Sequence, residues 1–181
     1  MDIFAHTLWT NASARGVNAI AKKKGKKFHM HVGWTAFWGV VPDFFAFTAP
    51  FIVALYNIIF GGLSFSNTRG PTQVVEGFDL ASYLYQFSHS LVIFILVFIL
   101  VWAISKRPRW EMLVWVLHIL IDIPSHSIHF YPTPFLFPIS EYRFPYGVSW
   151  AHPVFMIVNY SLLVLVWGGI LFKKYIRKSV L

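Results

Sequence analysis

Five residues stand where chemistry is possible: His6, Asp43, His89, His118 and Asp122. Each is polar or ionisable inside an otherwise apolar stretch, where burial without a partner is costly. His118 and Asp122 are spaced i, i+4, so on a helix they share a face and can bring an imidazole and a carboxylate to one ion. Asp43 follows Pro42, and a proline-disturbed backbone can aim a carboxylate into a cavity. His89 lies between Ser88 and Ser90, whose hydroxyls can hydrogen-bond the imidazole from behind. The chain has no Cys, which excludes thiolate ligands, cysteine nucleophiles and disulfides. Three His and two Asp form a nitrogen and oxygen donor set that suits Zn²⁺, with Mn²⁺ or Fe²⁺ as alternatives. A closed site takes about four ligands, so five residues serve either one open ion or two ions sharing a carboxylate.

The elements that must position these residues are membrane-type. Of the 181 residues, 57% are hydrophobic and 12% charged, and the mean hydropathy is +0.60. A soluble domain of this size cannot hide that much apolar surface. The fold expected is all-α: a polytopic transmembrane helical bundle with about four spans plus an amino-terminal helix, residues 1–181 forming a single integral membrane domain. Residues 3–21 read as a helix too polar to face lipid all round. A long apolar segment from Phe28 to Phe60 carries Pro42 and Pro50, so it is expected to be kinked, tilted or broken. Residues 61–79 read as a polar loop and Leu80 to Ile104 as a second span. Trp110 to Ile123 stops at Pro124 and is marginal for a full crossing. Residues 124–149 hold five prolines and read as an irregular outer loop or re-entrant lid. Trp150 to Phe172 is the last span.

Charge placement gives an orientation. The net charge of +8 is concentrated in Lys22–Lys27, Lys106–Arg109 and Lys173–Lys178, beside apolar runs, a pattern of topology and not of nucleic-acid binding. Four alternating spans return all three clusters to the cytoplasm and leave the loop with Glu76 and Asp79 outside. The stretch Ile3 to Trp9 carries His6 with no basic residue before it and does not read as a cleavable signal peptide; a prokaryotic inner membrane suits that pattern. At ~1.5 Å per residue from the cytoplasmic side, His6 and Asp43 lie at roughly 22 Å, His118 at roughly 12 Å and Asp122 at roughly 18 Å. His89, counted from the outer end of its span in a ~30 Å core, lies at roughly 16 Å. Residues from four segments therefore converge on one slab.

Two other readings use the same residues. Buried His and Asp also form structural polar networks, and they line ion or proton pathways. His29 and His31 sit beside the basic turn and read as interfacial. His126, His129 and His152 fall on the outer side, where a solvated loop role is expected, with substrate contact as the alternative. The basic clusters are expected to touch anionic lipid headgroups.

With these residues in view, the sequence resembles the YdjM-like membrane-bound metal-dependent hydrolases. Met1-Asp2-Ile3-Phe4-Ala5-His6 resembles the family's opening, and Gly39-Val40-Val41-Pro42-Asp43 its Gly-x-x-Pro-Asp segment. Phe87-Ser88-His89-Ser90 resembles its Thr-His-Ser motif. His118 to Asp122, with Thr133-Pro134 and Phe137 to Ser140, resemble its His-x-x-x-Asp helix and the loop beyond. The matches keep their order over residues 1 to about 145. Phe45 stands where the family often has a second Asp, and Leu84, Tyr85 and Gln86 stand where it often has His-Arg-Gly. At those positions the resemblance implies neither a second ion nor the usual substrate contacts.

The resemblance implies metal-dependent hydrolysis, by a distant likeness to zinc-dependent phospholipase C and related nucleases. The expectation is a membrane-embedded hydrolase of a phosphoester, such as a phosphodiester in a lipid or amphiphile. His6, His89, His118 and Asp122 are assigned as ligands of a divalent ion, taken as Zn²⁺. Asp43 is assigned as ligand or general base, and Arg143 as a partner for an anionic headgroup. The expected partners are membrane lipids, with no nucleic acid. The alternative is an ion or proton carrier built on the same His/Asp cluster.

Overall fold

The computed structural model describes residues 1–60 and 78–179, and the described residues are all helix, turn and irregular chain. Most of the loop expected at 61–79, including Glu76, lies outside the described residues. Six helices follow in order: α1 (Ile3–Lys23), α2 (Val32–Phe60), α3 (Phe78–Ser88), α4 (Leu91–Ser105), α5 (Leu113–Ser125) and α6 (Pro153–Ser179), with a single 3₁₀ turn (Trp110–Met112) leading into α5.

Two helices, α2 and α6, are long and apolar enough to cross a membrane, and a third crossing results if the bent pair α3–α4 counts as one span. The 13 residues of α5 are too few to cross alone. α2 runs unbroken through both prolines for 29 residues, about 43 Å at 1.5 Å per residue. Along α6 nearly every apolar side chain is uncovered, with Ile157, Val164 and Leu165 each about two-thirds exposed or more. Only a few positions, among them Asn159 and Leu163, are buried. A helix apolar on all sides and covered on one suits lipid as its solvent.

Small residues set the closest approach in the bundle. A Cβ on Gly39 would lie 2.3 Å from the Thr10 hydroxyl, so only glycine lets α2 pack this tightly on α1. α1 is fixed to α6 by polar contacts along a shared direction. Tyr160 donates to Asp2 Oδ1 at 2.9 Å, Trp9 Nε1 donates to Asn159 Oδ1 at 2.9 Å, and Arg15 lies over the Trp167 ring at 5.4 Å. Asp2 and Trp9 meet the Asn159–Tyr160 turn and Arg15 meets Trp167 further along, so the two helices run in the same overall direction and Lys22–Lys27 and Lys173–Lys174 leave the bundle at the same end. At that end the His31 amide donates to Glu111 Oε1 at 3.1 Å, which brings the turn after Lys106–Arg109 there as well.

α3 and α4 meet at an angle of 63°. The bend frees backbone groups that an apolar surrounding cannot solvate, and neighbouring residues take them up. The Ser90 hydroxyl caps α4, accepting from the amides of Val92 at 3.1 Å and Ile93 at 3.2 Å, and itself donates to the Phe137 carbonyl. The Leu91 amide donates to the Phe135 carbonyl at 3.0 Å. Trp115 Nε1 donates to the Ser88 carbonyl at 2.7 Å. The irregular loop 126–152 thus seals the bend, and it is held to α5 by amide donation from Val148 to the Pro124 carbonyl and from Trp150 to the Ser125 carbonyl. Gly147 is required there, because a Cβ would lie 1.9 Å from the His126 carbonyl oxygen.

Candidate metal centre

Three helices and one bend between helices deliver the side chains. α1 brings His6 one turn from its start, where Asp2 caps the helix by accepting from the Ala5 amide at 2.9 Å. α2 brings Asp43 just past Pro42, which has no N–H to donate and crowds the turn before it. The α3–α4 bend brings His89. α5 brings His118 and Asp122 on one face, as the i, i+4 spacing requires. His6, His89, His118 and Asp122 are fully buried and Asp43 nearly so. The five residues expected from the sequence therefore lie together, four in one group and His6 joined to it through Asp122.

One oxygen or nitrogen from each of Asp43, His89, His118 and Asp122 falls within a sphere where all four atoms are no more than 4.8 Å apart. His89 Nε2 faces His118 Nε2 at 3.1 Å. Asp122 Oδ2 lies 3.1 Å from His118 Nε2 and 3.3 Å from His89 Nε2. Asp43 Oδ1 lies 3.4 Å from His89 Nε2 and 3.6 Å from His118 Nε2.

The back sides of the rings fix how they present themselves. His118 Nδ1 is 2.7 Å from the Gly39 carbonyl, an acceptor only, so Nδ1 carries the proton and a neutral ring aims a lone pair at the cluster. His89 Nδ1 is 2.9 Å from the Ser88 hydroxyl. Ser90, expected to share that role, instead caps α4. Asp43 Oδ2 and Asp122 Oδ2 are buried with no hydrogen-bond donor.

Lone pairs and carboxylate oxygens converging out of water, with two oxygens orphaned, form an unfavourable arrangement unless a cation is shared among them. The donor set, two imidazoles and two carboxylates, fits a divalent transition ion. The ring hydrogen bonds are of the kind that orient metal-binding histidines.

His126 departs from expectation. It does not lie in a solvated loop: it caps the C-terminus of α5, is 7% exposed, and its Nε2 is 3.4 Å from Asp122 Oδ1. The signal was in the spacing, since His118, Asp122 and His126 are separated by steps of four. Ending the helix at Pro124 hid it, whereas α5 continues to Ser125. His29, His31, His129 and His152 are all exposed. Phe45 points outward, 54% exposed. Tyr85 is part of the site: its ring stacks on His89 at 3.7 Å.

Beyond Tyr85 lies a cavity of about 390 Å³ between α3 and the 126–152 loop, with Asp79, Ser82, Gln86, Tyr131 and Arg143 in its wall. Arg143 donates to the carbonyls of Glu141 and Tyr142 and forms no ion pair among the described residues.

No protein-family model, curated protein or solved structure matches the chain.

Proposed function

We propose that the protein is a membrane-embedded metal-dependent hydrolase acting on a phosphoester of a lipid or other amphiphile, of the kind its resemblance to the YdjM-like proteins implies. One observation carries the reading: two imidazoles and two carboxylates meet in a buried cluster with orphaned oxygens, one aromatic ring away from a cavity holding an arginine. Zn²⁺ is the ion the donor set favours. A bound divalent ion there supplies a Lewis acid and acidifies water enough to make it a nucleophile near neutral pH.

The residues of the chain do the rest. His89, His118 and Asp122 would hold the ion. Asp43, by its free Oδ2, either completes the set or takes the proton from the attacking water. Arg143 pairs with the phosphate charge in the cavity, where its planar fork suits two phosphate oxygens. Tyr85 stands at the wall shared by the cavity and the cluster. Four spans in an inner membrane, with the basic clusters cytoplasmic, would put this cavity toward the outer leaflet.

Elemental analysis of detergent-purified protein tests the reading. The wild type is expected to carry near-stoichiometric zinc, manganese or iron, and a double variant with His118→Ala and Asp122→Asn to lose it. Asp122→Asn alone should lose hydrolysis of bis(p-nitrophenyl) phosphate while eluting as folded protein. A wild type that stays folded and metal-free after incubation with each ion would remove the physical basis for hydrolysis. Proton flux across liposomes would then support the ion-carrier alternative.

A further inference from the structure

The cavity beyond Tyr85 carries one charge of each sign. Asp79, Ser82 and Gln86 are spaced by steps of three and four, so they share the face of α3 that lines it. Arg143 enters from the 126–152 loop. Asp79 is exposed and Arg143 half-buried. Among the described residues neither forms an ion pair. Arg143 spends only its Nη1 hydrogens on the Glu141 and Tyr142 carbonyls, which leaves Nη2 and Nε for a ligand. The two charges stand at different ends. Asp79 bears on the Tyr131 phenol, which is hydrogen-bonded to Ser82, whereas Arg143 bears on the Tyr85 phenol. From Asp79 to Tyr85 the helix axis advances roughly 9 Å.

A ligand with only negative charge meets Asp79, and one with only positive charge meets Arg143, so each is penalised at one end. A molecule bearing both charges satisfies both. A separation of that order is filled by two hydrogen bonds of about 2.9 Å with a short bridge between the ligand's charges. Beside Asp79, the oxygens of Ser82, Gln86 and Tyr131 accept further N–H bonds. They suit a primary ammonium, which has hydrogens to donate, better than a quaternary one, which has none. The volume of about 390 Å³ is near the lower end for small-ligand sites, which run from roughly 300 to 1,000 Å³. It takes a headgroup and leaves acyl chains outside.

We propose that the cavity binds a phosphate ester bearing a primary ammonium group, of the phosphoethanolamine type, with the phosphate on Arg143 and the ammonium on Asp79. This rests on the assignment of Arg143 to the phosphate in the reading above, and it narrows the substrate to zwitterionic headgroups. Asp79 is then the residue that selects among phosphoesters. A carboxylate in the first turn of α3 also suits the positive end of that helix. Recognition is separated from that structural role by altering the lipid as well as the protein.

The test is lipid selectivity in binding, which needs neither metal nor turnover. Full-chain protein in detergent is offered equal amounts of three lipids with identical acyl chains. These are phosphatidylethanolamine, phosphatidylethanol, which lacks only the amine, and phosphatidylcholine, whose ammonium has no N–H. Bound lipid is counted by native mass spectrometry. The expected result is a preference for phosphatidylethanolamine of about fivefold over either, the upper end for a charge pair in contact with solvent. Asp79→Asn should bring phosphatidylethanol level with phosphatidylethanolamine, and Arg143→Gln should lower retention of all three. Should Asp79→Asn fail to fold, the three lipids on the wild type still decide. Displacement of the bound lipid by sn-glycero-3-phosphoethanolamine would extend the proposal to soluble esters, and no displacement would confine it to lipids. A wild type that retains phosphatidylethanol equally or better, or prefers phosphatidylcholine, would overturn it, as would a preference surviving in Asp79→Asn. Those outcomes leave the hydrolase reading to its metal content. A selective wild type that stays metal-free would keep this proposal and remove the hydrolase reading.

Discussion

At the scale of single residues, the site depends on groups that are not ligands. The Gly39 carbonyl orients His118, and the missing Gly39 side chain lets α1 bring His6 within reach of Asp122. Gly39→Ala should therefore lower stability by about 1–3 kcal/mol, as overpacking of a tight contact does, and reduce metal retention as α1 moves outward. Thermal unfolding in detergent, followed by elemental analysis, reads both effects; a variant matching the wild type in melting and metal content would show that α1 has slack. The clustered His and Asp residues were legible in the sequence, because an ionisable residue in an apolar run declares that it needs a partner. His126 was not, since a helix through Pro124 had to be assumed before the step of four became visible. Nor was Tyr85, whose place over His89 comes from stacking across one helical turn at the end of α3, which its residue type does not announce.

At the scale of elements, the decisive feature is the bend between α3 and α4. The sequence reads from Leu80 to Ile104 as one span, and hydropathy cannot register that two helices meet there at 63°. What marks the bend is polar: Ser88, His89 and Ser90, each with a partner outside its own helix or at a helix end. Ser90 is the hinge pin, as the cap of α4 and a donor to the loop that closes over the bend. Loss of a cap of this kind costs about 1 kcal/mol. Ser90→Ala should thus lower the melting temperature by a few degrees, and Ser90→Asn, which also caps, should recover much of it. An unchanged melting temperature in Ser90→Ala would mean that packing of Trp115 and Phe135 holds the bend without the cap. Pro42 teaches the reverse lesson. A break was one expectation there, yet α2 continues through it, because in an apolar surrounding the cost of leaving further backbone groups unpaired favours keeping the helix.

At the scale of the whole molecule, the question is which faces of the membrane the ends of these helices reach. The parallel run of α1 and α6, and the contact between His31 and Glu111, put the three basic clusters at one end of the bundle. Under the proposed topology, charge bias would make that end the cytoplasmic one. This arrangement requires residues 105–113 to sit on the same side as residues 22–27, although α5 is too short to span alone. In that proposed arrangement α5 would stop at the His/Asp cluster, and loop 126–152 would carry the chain on toward the outer face beside the cavity. The absence of native cysteine makes the test direct, since any introduced thiol is the sole one. Single substitutions Lys24→Cys, Lys106→Cys and Lys174→Cys should react with an impermeant maleimide only in inside-out vesicles. Glu141→Cys, in the loop beside the cavity, should react only in right-side-out vesicles or intact cells. If Lys24→Cys and Lys106→Cys label from opposite sides, the four-span arrangement fails and α3–α4 cannot be a single crossing. If Glu141→Cys labels from the basic side, the cavity opens to the cytoplasmic leaflet, and the substrate would have to be sought among lipids or soluble phosphoesters reaching it from that face.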